Sequence, residues 1–245
     1  MSSIGFSAFR ERVDQILSRG DSVLIKTLYL TASRVSEILT KVNPSELELG
    51  KTKAYGIYLK WDLQDFEWQG RVEKALCITE AVAKRKRRTK SGKSPDMVYK
   101  VIALPTSQAY EPWSLDLLEY LLAHKTLSFD LTRKRVWQIV KNNLGDLDPD
   151  IHPHSLRHYR LTHLVTEYGF TDPFSIAYIA GWTFKTTLGN LGMASASGQL
   201  DVYLHMAWRN YFPKLLKPIS SIMMTEAMRQ EQAKISNISR ECEEE

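Results

Sequence analysis

Apolar residues recur at helical spacing along most of the chain, and the period changes to two in one central stretch. Phe6, Phe9, Val13, Ile16 and Leu17 give one apolar side to a short helix over residues 6–18, which Gly20 would end. Asp21 is a suitable cap for a second helix carrying Val23, Leu24, Leu28 and Leu30. Ser33 can cap a third, with Arg34 in its first turn, Glu37 one turn later and Pro44 closing the segment. From Ala54 to Leu104 alternation takes over: Tyr55, Ile57, Leu59 and Trp61, then residues 75–79, then 98–104. These three runs predict a small antiparallel sheet.

Helical spacing then returns. Pro112 to His124 points Leu115, Leu118, Tyr120, Leu121 and Leu122 inward, and residues 131–144 place Trp137 and Ile139 in the core. A histidine-rich helix, started by His154 or Ser155 and ended by Gly169, has a partly apolar face of Leu156, Tyr159, Leu164 and Val165. Asp172-Pro173 opens another that stops at Gly181. Residues 183–198, with three glycines, read as a mobile loop; residues 200–212 resume as a helix ended by Pro213; residues 218–235 form a Met-rich amphipathic helix before a frayed acidic tail. The fold class is mainly α with a small antiparallel β-sheet (α+β). Residues 1–20 read as an N-terminal helix or linker remnant, 21–217 as the main domain, and 218–245 as the C-terminal helix and tail. No internal repeat is present.

Composition narrows the partners. The net charge of +5 favours an anionic one. Cys77 and Cys242 stand far apart, which argues against a disulfide framework and fits a reducing compartment. The apolar runs fall short of membrane-spanning length, and Arg10, Glu11 and Arg12 replace the apolar core of a signal peptide. A soluble cytoplasmic protein is expected.

Two stretches carry the candidate chemistry. Residues 152–163 hold His152, His154, His158 and His163, interleaved with Arg157 and Arg160. His154 and Arg157 lie about one turn apart and can project to one side, where an imidazole beside a guanidinium fork suits a phosphate group. A solvated surface helix is the plain alternative. A zinc site is another, on the i,i+4 spacing of His154 and His158, although no cysteine or clearly placed carboxylate completes a ligand set. The second stretch is Lys84, Arg85, Lys86, Arg87, Arg88, Lys90 and Lys93, seven basic residues with Gly92 and Pro95 on a hairpin tip. Such a run is either a solvated loop or a contact for nucleic acid. Arg34, a cation at a helix start, gains nothing from the helix dipole beyond its pairing with Glu37.

Taken in order, these pieces form a set: Arg34 within Thr-Ala-Ser-Arg-Val-Ser-Glu, a hairpin lysine, His154-x-x-Arg157, Gly181-Trp182, and Tyr203 within Val-Tyr-Leu-His. On these residues, over 6–215, the chain resembles the catalytic domain of the tyrosine recombinases (phage-type integrases, Xer and Cre-like enzymes). Its long loop before Tyr203 resembles that of integrases from archaeal mobile elements. The resemblance implies that residues 21–217 form a catalytic domain of a site-specific recombinase or integrase. Such an enzyme breaks and rejoins double-stranded DNA through a 3′-phosphotyrosyl intermediate, with no metal, ATP or other cofactor.

By the same resemblance Arg34 and Arg157 would bind the non-bridging phosphate oxygens, with Glu37 as the companion of Arg34. Trp182 would add a donor, and His154 would withdraw the proton of the nucleophile Tyr203. Lys86, or else Lys84 or Lys90, would protonate the leaving 5′ oxygen. Tyr211, eight positions after Tyr203, is the rival nucleophile. Lys84, Arg85, Arg87, Arg88, Lys90, Lys93, Arg133 and Arg135 would contact DNA. Family members assemble on DNA, so a homo-oligomer (a tetramer) is expected there and a monomer when free.

Two departures alter the expectation. Trp182 and Tyr203 are 21 positions apart, more than is usual, which would let Tyr203 reach a partner's site. The N-terminal DNA clamp of many members would not fit in the residues before Asp21, so DNA binding should be weak and strongly salt-dependent. Alternative functions are a type IB topoisomerase-like or telomere-resolving enzyme, a non-catalytic DNA-binding regulator on the same fold, and a zinc hydrolase.

Overall fold

The computed structural model of the chain describes residues 4–39, 60–81, 99–125, 127–182 and 207–243, and these form helices and a three-stranded antiparallel sheet, the expected α+β class. The first helix, α1 (Phe6–Asp14), is shorter than its pattern predicts, and Gly20 does not end it. Ser18 caps α2 (Arg19–Leu30), its Oγ accepting from the Asp21 N–H at 3.3 Å. Asp21 thus sits inside the first turn, where the positive end of the dipole favours a carboxylate. Phe6, Phe9 and Val13 are buried, and Phe9 lies 4.7 Å from the Tyr29 ring of α2, so α1 shares the core. Leu17 does not, since it falls past the helix end and is wholly exposed.

The sheet runs β1 (Lys60–Trp68), β2 (Arg71–Ala81), β3 (Tyr99–Pro105), in that order. A two-residue turn of Gln69 and Gly70, at φ 50° and 74°, joins β1 to β2, the left-handed pair that matches strand twist. The predicted first strand overlaps β1 only at its start, and residues 55–59 lie outside the described residues. The remainder of β1, rich in Asp, Gln and Glu, is an edge strand with a solvent face, which hid it from a search for apolar runs. Opposite one another on β2 and β3 stand Leu76 and Leu104, then Ile78 and Ile102, all buried.

The remaining helices are α3 (Val35–Ile38), α4 (Pro112–His124), α5 (Arg133–Leu144), α6 (Pro153–Thr166), α7 (Pro173–Ile179), α8 (Ala207–Leu215) and α9 (Ile219–Glu243). Leu122 and Trp137, expected inside, and Val165, expected on the apolar face of its helix, are corrected: all three are exposed. Each is one position off its helix's buried stripe, which is Trp113, Leu117 and Leu121 on α4, Val136, Ile139 and Val140 on α5, and Leu161 and Leu164 on α6. On α8, Pro213 lies inside the helix instead of ending it; residues 200–206 are outside the described residues. The backbone of α9 stays helical to Glu243, past the predicted end near residue 235. It buries Ile219 and Ile222 and leaves Met224 and Met228 exposed. Its Glu226 accepts from the Ser7 N–H at 2.8 Å and the Ser7 hydroxyl at 2.6 Å, tying α9 to the first turn of α1.

Among the described residues no helix is long and apolar enough to cross a membrane.

Candidate functional site

The site begins with two sharp turns. At the end of α2 the chain passes through Ala32, whose left-handed φ of 49° is costly for a residue with a Cβ, and reaches Arg34, the extended residue before α3. At the end of α7 it passes through Gly181, at φ 59°, where glycine meets no such cost, and reaches Trp182. The Trp182 N–H returns to the Ala177 carbonyl at 2.8 Å, closing the helix end.

Arg157 joins these turns. It lies on α6, is 1% exposed, and donates from Nη1 to the Ala32 carbonyl at 2.8 Å and from Nη2 to the Ala180 carbonyl. The start of α6 is fixed by a reciprocal cap: His152 Nδ1 accepts from the Ser155 N–H at 3.0 Å, and Ser155 Oγ accepts from the His152 N–H at 3.2 Å. With Pro153 in the first turn, this sets the rotation that leaves His154 exposed and Arg157 buried. Arg160, one further turn along, points to the core instead. It stands 3.8 Å from Glu111, and among the described residues its Nε and Nη1 have no hydrogen-bond partner.

Arg34 is 23% exposed at its side chain and paired to the buried Glu37 at 2.8 Å. The helix-start pair expected of Arg34 and Glu37 therefore forms, and it leaves part of the guanidinium open. Trp182 is exposed. Arg34, His154, Arg157 and Trp182 are thus carried on segments that meet at Arg157.

Electrostatics sharpen the arrangement. Burial, followed by repulsion from Arg34, lowers the Arg157 guanidinium to about 10, so it is still a cation at neutral pH. His154 is pulled down to about 4, first by loss of hydration and then by His158, Arg157, His152 and Arg34. A neutral imidazole beside two cations can accept a proton while the cations bind an anion.

The His154 and His158 rings meet edge to face at 4.6 Å. Among the described residues no group of three or more His, Cys, Asp or Glu side chains could hold a metal ion.

Beneath this surface lies a feature the sequence reading missed. Glu80 of β2 and Lys100 of β3 are register partners, both buried, with Lys100 Nζ 3.3 Å from Glu80 Oε2. Lys100 also donates to the Thr31 and Ile179 carbonyls, at 3.0 Å each, and Ser33 Oγ donates to Glu80 Oε2 at 2.7 Å. The signal was available: Lys100, Ile102 and Leu104 alternate on one strand face, so a charge stands in phase with core positions.

Tyr211 is buried, its hydroxyl accepting from the Ala103 N–H at 2.8 Å and donating to the Val101 carbonyl at 3.2 Å. Burial holds its phenol well above the ordinary range, so its place is structural. Arg133 and Arg135 are exposed at the start of α5, next to its cap Thr132. Tyr203 and the hairpin residues Lys84, Arg85, Lys86, Arg87, Arg88, Lys90 and Lys93 lie outside the described residues.

No model of a known protein family matches the chain, and no curated protein matches it.

Proposed function

We propose that the chain is a site-specific DNA recombinase or integrase of the tyrosine type, acting on double-stranded DNA in the cytoplasm and assembling there as a homo-oligomer. The observation that carries this reading is the double donation of Arg157, which draws the turn before Arg34 and the turn before Trp182 onto the helix that bears His154. The segments that carry four of the residue types the resemblance calls for therefore meet at Arg157, though they come from distant parts of the chain.

The chemistry follows from their charges. Arg34 and Arg157 bind the non-bridging oxygens of one phosphodiester and offset the charge that grows there as a fifth oxygen approaches. The Trp182 indole N–H supplies a further donor. The Tyr203 oxygen forms a bond to phosphorus as its proton passes to the neutral His154. The bond from phosphorus to the 5′ oxygen breaks, and a lysine of the basic hairpin, Lys86 in this assignment, returns a proton to that oxygen. One phosphoester replaces another, so rejoining needs no ATP. Lys84, Arg85, Arg87, Arg88, Lys90, Lys93, Arg133 and Arg135 hold the flanking DNA by its phosphates.

The test is incubation with nicked suicide substrates cut from element ends or genomic DNA, in EDTA, followed by denaturing electrophoresis. A covalent adduct mapping to Tyr203 and lost in Tyr203→Phe is expected; its absence on a cognate site refutes the reading. Exchange between two marked sites then separates recombination from topoisomerase-like relaxation. Mixing Tyr203→Phe with Arg34→Ala protein tests delivery of Tyr203 to a partner's site, since recovered cleavage requires it.

A further inference from the structure

Two cations clasp the same two turns at adjacent positions. Arg157 takes the carbonyls of Ala32 and Ala180, and Lys100 takes those of the preceding residues, Thr31 and Ile179. Each pair of carbonyls leads directly into a left-handed residue or contains one, and then into Arg34 or Trp182. The spacing of the two turns is therefore set from two sides, by a helix and by a strand.

The ammonium of Lys100 has three N–H groups, and it has three acceptors: two carbonyls and the Glu80 carboxylate. With all three of its donors occupied, it has none left for a substrate, whereas Arg157 gives two of its five N–H groups to carbonyls. Glu80 in turn accepts from Ser33, the residue before Arg34. Ser33 also shares a short hydrogen bond with the Thr31 hydroxyl. The chain of contacts therefore runs from sheet to ammonium to both turns, and from sheet to carboxylate to the Arg34 turn alone.

We infer that Lys100, held by Glu80, is a positioning residue that fixes the separation of the Arg34 and Trp182 turns and so keeps the two-arginine anion cradle formed before any ligand arrives. This rests on reading that cradle as a phosphate site.

The experiment compares wild type with Lys100→Met and with the double variant Lys100→Met/Glu80→Gln, which replaces the buried pair by neutral groups of similar size. Inorganic phosphate is titrated against the Arg34 and Arg157 Nε–H resonances, and DNA affinity and single-turnover adduct formation are measured alongside. Phosphate affinity and adduct rate should each fall about tenfold or more, as small displacements of aligned groups do, while DNA affinity stays within about twofold. Ser33→Ala, which removes one bond to Glu80 and no charge, should move both readouts in the same direction by less.

Wild-type phosphate affinity in the folded double variant overturns the inference. If wild type binds phosphate at these arginines but never forms an adduct, the recombinase reading fails; weaker phosphate binding in the variants then still upholds the role of Lys100.

Discussion

Glu37 holds Arg34 at two points: Oε2 accepts from the Arg34 backbone N–H at 2.6 Å, and Oε1 from its guanidinium at 2.8 Å. The carboxylate is buried, whereas the guanidinium is 23% exposed, so the pair aims the cation outward. Glu37→Ala should leave a poorly compensated cation beside Arg157. A loss of about 2 kcal/mol in urea unfolding is expected, below the range for fully buried pairs because Arg34 retains solvent. Adduct formation should fall together with stability.

An anion should stabilise the protein. Repulsion between Arg34 and Arg157 in a dehydrated setting is relieved when phosphate binds. Phosphate at about ten times its Kd should add about 1.4 kcal/mol, visible as a rise in Tm. Arg34→Ala should abolish the rise, and a rise that persists in that variant would point to another site.

His163 predicts how stability follows pH. It is 2% exposed; its Nε2–H donates to the Ile4 carbonyl at 3.0 Å, and its Nδ1 accepts from the Tyr29 hydroxyl at 2.9 Å, which is the neutral ring. Burial chiefly lowers it to about 4, with Arg160 and Arg10 adding to the shift. The unfolded chain takes up this proton near pH 6.5, so a contribution present above that value is lost as pH falls toward 4. Roughly 3 kcal/mol should disappear over this window in denaturant titrations. His163→Gln should flatten the curve there.

Two tyrosines should separate cleanly. Tyr211→Phe leaves the buried Ala103 N–H without its acceptor, so it should cost about 1–3 kcal/mol while adducts still form. Tyr203→Phe should do the reverse, keeping stability and losing the adduct. Denaturing gels and thermal melts on the two variants check this.

What could be read in the chain itself is what depends on neighbours a few positions away. Helical and strand periods, the helix start at Asp172, and the spacing of His154 and Arg157 are of this kind, because capping and side-chain direction act within one or two turns. The same locality explains the errors. Trp137 and Val165 are apolar and one position out of register, which burial decides and composition does not; the polar edge strand β1 takes its place from pairing with β2. Only the packed chain could bring Arg157 to Ala32, 125 positions away, or set Lys100 against Glu80 under the Arg34 turn. A guanidinium or ammonium cut off from water must find carbonyls and carboxylates wherever the fold presents them, and no local pattern specifies which ones those will be.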